Sequence, residues 1–402
     1  MRQSVLTVIL FLCTVFTGAY GQSITGFSPT TASAGTGSQI TINGSGFGAG
    51  PATSSKYVEF ANSDNGGLTG VRPALVEYVS WADNQIVVIV PSGAGTGAIS
   101  VNNGTATAVS SGSLTVSYNI INASTYQVKH VNMNTQGGYT WQLEKSFDAQ
   151  TGVKNSFLKS LSAWTCVTGI NWKVGDPTPA NQTGRDGINI VRFDNGAELP
   201  AGVLGVAYTY YTSCGSNKWE ITETDLVFDK ERTWNFEDAL PSPSQSDFQS
   251  VVQHELGHAH SLGHVIDTDD LMHYAIAPGT RRTIGQKNRD AGDFQISYSV
   301  LAAGGSCTSA MIAAIPATCG FPYPKITGFS PARAGTGTTV RIDGENLNTA
   351  SSVTFGGTAA ASFSIVSNNQ IDAVLAAGVS GEIAVTTSGG VATYNGCVYL
   401  PP

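Results

Sequence analysis

Five of the six histidines of this 402-residue chain fall between positions 254 and 273. They open with His254-Glu255-Leu256-Gly257-His258 and continue with His260, His264 and His273. On a helix, His254 and His258 lie one turn apart and aim both imidazoles at one point, the geometry that holds a metal ion. Glu255 then reaches a metal-bound water without being a ligand itself, the position of a general base. A zinc ion needs a third protein ligand, and His264, six residues past His258, is the candidate. His260 lies about 200° round the helix from His258 and faces away.

The elements that must position these residues are legible around them. Phe248, Val251, Val252, Leu256 and Ala259 have helical spacing, and Ser246 with Gln249 has the spacing of a capping box. Gly263 can take a left-handed conformation that ends the helix and turns His264 back. Gly257 gives the helix room near the site.

These residues resemble the metzincin clan of zinc endopeptidases, most closely its matrixin branch. The pattern HExxHxxGxxH with a following methionine turn reads here from His254 to His264, then Leu271-Met272-His273-Tyr274. Ser261 stands where the family has its helix-ending glycine, so the turn is expected to use Gly263 instead. The resemblance implies zinc held by His254, His258 and His264, Glu255 as base, and Met272 as a structural floor. Tyr274 stands where related branches place a tyrosine that stabilises an oxyanion; lining the substrate pocket is its other role. Residues Phe157 to Trp172 are similar to the family's first helix and strand, Gly202 to Tyr208 to its substrate-binding edge strand, and Asp225 to Asp229 with Trp234 to the strand before its active-site helix. Thr283 to Gln286 can cap a final helix. Substrate would lie along the edge from Val203 to Tyr210. Residues His273 to Thr280 would line the pocket beyond the cut, and Ala275, Ile276 and Ala277 give it an apolar character. Asp267, Asp269 and Asp270 offer carboxylates for structural calcium, without a recognisable loop spacing.

A repeat brackets this segment. Ile24-Thr25-Gly26-Phe27-Ser28-Pro29 recurs as Ile326-Thr327-Gly328-Phe329-Ser330-Pro331, and Asn84-Gln85-Ile86 is answered by Asn369-Gln370-Ile371. Period-two alternation broken by Gly and Asn/Asp turns is the signal of small β-sandwiches. Both copies resemble the IPT/TIG immunoglobulin-like modules, through the opening motif and the turns Gly44 to Phe47 and Gly344 to Leu347. Such modules serve as rigid spacers or bind a surface glycan or protein.

The fold expected is therefore multidomain: an α+β metzincin-like catalytic domain, with a twisted, mostly parallel sheet and an active-site helix, between two all-β immunoglobulin-like sandwiches. The segments are 1–21 as signal peptide, 22–119 and 325–402 as sandwiches, and 122–318 as catalytic domain. The signal peptide is read from the apolar run Val5 to Phe16, too short to span a bilayer, ending in Ala19-x-Gly21. It implies a secreted or cell-surface protein with no transmembrane anchor. Among the five remaining cysteines, pairs Cys166–Cys214 and Cys307–Cys319 are expected, leaving Cys397 odd. No CxxC spacing suggests a thiolate zinc site. Only 12% of residues are charged and the formal net charge is −8, so nucleic acid and anionic membrane are excluded as partners. The function expected is a secreted zinc endopeptidase acting on polypeptides. The alternative is an adhesion protein whose middle domain only binds.

Overall fold

The computed structural model describes residues 21–196, 198–215, 217–237, 239–301, 324–378, 380–387 and 390–401. Nearly all of the expected signal peptide, together with Cys307 and Cys319, lies outside the described residues.

The two repeat copies build the same sandwich twice. In the first, a four-stranded sheet ordered Ser23–Ser28, Gln39–Ser45, Gln85–Ile89, Tyr78–Trp81 faces a five-stranded sheet ordered Thr31–Ala34, Thr107–Asn119, Ala94–Asn103, Lys56–Asn62, Gly70–Val71. The second copy repeats this order strand for strand, down to the irregularity at Ile24/Gly26 and Ile326/Gly328. Alternation supplies the cores: Ile40, Ile42, Ile86 and Val88 are fully buried in one, Val340, Ile342, Ile371 and Ala373 in the other. The turn motif has a steric reason. A Cβ on Gly44 would come within 2.4 Å of the Phe47 ring, and one on Gly344 within 3.0 Å of Leu347, the residues that plug each core.

Between them, seven strands form one sheet: β1 (Asn122–Ala123), β2 (Tyr126–Lys129), β3 (Tyr139–Leu143), β4 (Trp172–Val174), β5 (Asn189–Phe193), β6 (Gly205–Ser213) and β7 (Trp219–Phe228). Its central pairings, β2 with β7, β7 with β5, β5 with β3 and β3 with β4, are all parallel. Strand β6 pairs antiparallel with β7 alone. The three long helices are α1 (Thr151–Thr168), α2 (Phe248–Ala259) and α3 (Gln286–Leu301), with a single turn at Lys145–Asp148 before α1. Trp141, Phe147, Phe157, Trp164, Phe228 and Phe248 are fully buried and tie α1 and α2 to the sheet. Cys397 is free and buried, whereas Cys166, near the end of α1, and Cys214, in the turn after β6, are each disulfide-bonded.

Candidate metal centre and cleft

Helix α2 starts one residue later than the sequence suggests. Its cap is Asp247, not Ser246, because the Asp247 carboxylate accepts the Ser250 amide and hydroxyl at 3.0 and 2.6 Å. Arg281 fixes the same carboxylate from outside the helix, at 2.6 Å, so Asp247 is the better anchored of two adjacent capping residues. Phe248, Val252, Leu256 and Ala259 are fully buried along one face, and His254 and His258 emerge from the helix into a cleft.

Helix α2 ends in a Schellman turn. Leu262 donates its amide to Gly257 at 2.9 Å and Ser261 to His258 at 2.8 Å. The left-handed residue is Ser261 itself, at φ +64°, which corrects the expectation that Gly263 would take that part. Gly263 is required for a different reason: a Cβ there would lie 2.6 Å from the Asn119 side chain. The turn brings His264 back, so that one ring nitrogen from each of His254, His258 and His264 lies within 4.8 Å of the others.

The hydrogen bonds around these rings determine what they can do. The Nδ1 of His254 faces the Leu271 carbonyl and that of His258 the Leu262 carbonyl, both at 2.8 Å. The Nδ1 of His264 faces Asp64 Oδ1 at 2.9 Å. A carbonyl or carboxylate can only accept, so each Nδ1 donates and each Nε2 presents a lone pair. The Nε2 atoms of His258 and His264 are 3.2 Å apart, so neutral rings in this tautomer present two lone pairs to the same point. Zn–N bonds of about 2.0–2.1 Å in tetrahedral geometry place two nitrogens about 3.3 Å apart, so the donor set fits zinc. Burial holds both helix imidazoles neutral, with the neighbouring rings adding to the effect: His254 is shifted well below its usual range and His258 down to about 3.

Glu255 is 4% exposed. Burial pushes its carboxyl up to about 8, against the opposing effect of a hydrogen bond from the Ala207 amide of β6. Beside it runs a cavity of about 630 Å³ lined by Gly202–Ala207 and Tyr211 on the β6 side and by His273–Ile276 opposite. Tyr274 lines this cavity, 41% exposed, as does Ile121. Met272 is buried, and a Cβ on Gly257 would meet its sulfur at 2.5 Å, so Gly257 makes the space that Met272 fills.

The remaining candidates sit elsewhere. His260 points away from the cleft into the core, where it meets His130 at 3.0 Å and Thr168 at 3.1 Å. Asp267 pairs with Lys287 at 2.6 Å and Asp270 accepts from Asn288 at 2.7 Å; these carboxylates are spent on protein partners and do not gather as a cation site among the described residues.

Three convergent imidazoles, a buried carboxylate on the same helix and an open sheet edge form an arrangement of the kind that metal-dependent hydrolases use. The chain itself carries a matrixin domain at residues 134–299, flanked by IPT/TIG domains at 23–118 and 324–399. It is 30% identical over 135 residues to Metalloendoproteinase 1-MMP of Arabidopsis thaliana, a match covering 32% of this chain and 34% of that protein, so the chain spans about a third of the length of that relative. Solved structures similar in part include an auxiliary nutrient binding protein from Bacteroides thetaiotaomicron, 23% identical with a TM-score of 0.18, covering 19% of this chain and 21% of that one. Gamma-CGTase from Alkalophilic bacillus clarkii is 24% identical with a TM-score of 0.18, covering 21% and 13%. Likeness at that level carries no functional argument. No helix among the described residues is long and apolar enough to cross a membrane.

Proposed function

We propose that this chain is a secreted zinc-dependent endopeptidase that cuts extracellular polypeptides. The observation that carries the reading is the convergence of three imidazoles whose Nδ1 atoms are all committed as donors, leaving three Nε2 lone pairs for one ion. His254, His258 and His264 would hold the zinc. Bound zinc supplies a Lewis acid that lowers the pKa of water to about 7 and polarises a carbonyl.

The chain's own residues do the rest. Glu255 takes the proton of the attacking water and delivers it to the departing amide nitrogen. Its burial favours holding that proton near neutral pH. Strand β6 is paired on one side only, and a substrate segment laid along the other side gains main-chain hydrogen bonds as an added strand. Ala275 and Ile276 give the facing wall its apolar character. Tyr274 lines the pocket and contacts substrate, with Met272 as floor beneath the ligands. A binding-only role gives no reason for a buried carboxylate next to these imidazoles.

The test is metal removal and return with an unfolded protein as substrate. Cleavage should vanish when a chelator strips the metal and return with about one zinc per chain. Undiminished cleavage by a chain shown to be free of metal would overturn the proposal.

A further inference from the structure

The outer partners of the three imidazoles are not alike. Leu271 and Leu262 belong to the same domain as His254 and His258. Asp64, the partner of His264, lies 200 residues away in the N-terminal sandwich. It sits in a short turn, Ser63–Asn65, where the Asn62 side chain accepts the Asp64 amide at 2.9 Å. Ser63 anchors that turn to the Gly93 carbonyl at 3.0 Å.

The sandwich is fastened to the loop that carries His264 by further contacts. The Gly263 amide donates to the Asn119 carbonyl at 2.7 Å, and the Ile121 amide donates to the Ser261 carbonyl at 2.8 Å. The Asn119 side-chain amide donates to the His264 carbonyl at 3.3 Å and to the Ser63 hydroxyl at 3.3 Å. Ile266 packs where Gly67 and Gly95 leave room: a Cβ there would lie 3.5 and 2.6 Å from its Cδ1. Backbone and side chains of the sandwich thus hold both ends of the turn from Ser261 to Ile266.

We propose that the N-terminal sandwich is a working part of the metal centre, with Asp64 as a positioning residue that fixes the tautomer and orientation of His264. The inference rests on the metal-site reading above. An imidazole that must present Nε2 to a metal needs an acceptor at Nδ1, and such outer partners typically contribute 10–100-fold to metal affinity. The Asp64 side chain is 64% exposed and that of His264 23%, so solvent screens the charge interaction; direction and tautomer, set by a 2.9 Å hydrogen bond, are what Asp64 contributes.

The experiment measures zinc affinity of the full chain by competition with a chelator of known affinity, for the parent, Asp64→Ala, Asp64→Leu and Asp64→Asn. Ala and Leu remove the acceptor and should weaken zinc binding by about 10–100-fold, with the melting temperature of the zinc-free chain unchanged. Asn keeps an acceptor oxygen and should recover most of the loss. If Ala and Leu bind zinc within about two-fold of the parent, this inference is overturned while the metal site stands. If the parent binds no zinc, the metal-site reading falls and this inference falls with it.

Discussion

Replacing Gly205 by Ala tests how Glu255 is held. Gly205 opens strand β6 and packs against the side chain of Glu255; an added Cβ would lie 2.9 Å from its Cγ, 3.1 Å from its Oε1 and 3.1 Å from the Phe228 ring. Ordinary contacts between such atoms are about 3.5–4.0 Å, so the carboxylate must retreat by about 0.5–1 Å. The backbone offers no objection, since Gly205 is absent from the left-handed positions and pairs with Phe228 in an ordinary ladder. A misplacement of about 1 Å costs on the order of 10²-fold in rate, equivalent to about 2.7 kcal/mol of transition-state stabilisation. The assay is kcat/KM on a fluorogenic peptide, with zinc content measured alongside. We expect the rate to fall by about 10²-fold while zinc content stays at the parent value, because the imidazoles are untouched. A variant with full zinc whose rate stays within three-fold of the parent would refute the idea that the edge strand sets the position of Glu255.

Ser261→Gly should stabilise the chain by about 1 kcal/mol, read as a urea midpoint shift, because it relieves left-handed strain and removes a hydroxyl that is buried without a hydrogen-bond partner; a lower midpoint would contradict this. Burial lowers His130 to about 3 and His260 well below its ordinary value. Unfolded histidines near 6.5 therefore bind protons that the folded ones do not, and stability that is fully present above pH 6.5 is lost as pH falls toward 3, by up to about 1.4 kcal/mol per unit per residue. In the zinc-free chain, His130→Gln should lose about 2 kcal/mol less than the parent between pH 6.5 and 5; equal losses in urea unfolding would count against the buried neutral pair.

Local spacing explains which features could be read without a structure. His254, Glu255 and His258 share one turn of helix, and the period of α2 carries their geometry. The sandwiches were legible because alternation and turn residues recur in both copies. The cap was ambiguous because Ser246 and Asp247 are both capping residues, and the choice was made by Arg281, 34 positions away. Ser261 looked like a fault in the turn; the Schellman hydrogen bonds and the loop packed on Asn119 hold it in a conformation that its own preference disfavours. Asp64 gave no signal, since its partner is in another module and a lone Asp in a polar turn reads as a solvated surface. The N-terminal sandwich therefore read as a spacer, whereas its Asp64 contacts His264.

The central claim is that Glu255 serves as base beside a zinc ion held by three histidines. It is tested most directly by casein cleavage with the mature chain and its Glu255→Ala variant, zinc being quantified in both. The account predicts about one zinc per chain in each form, with cleavage present in the first and lost in the second. Cleavage retained by the variant, or no zinc in either form, would contradict it.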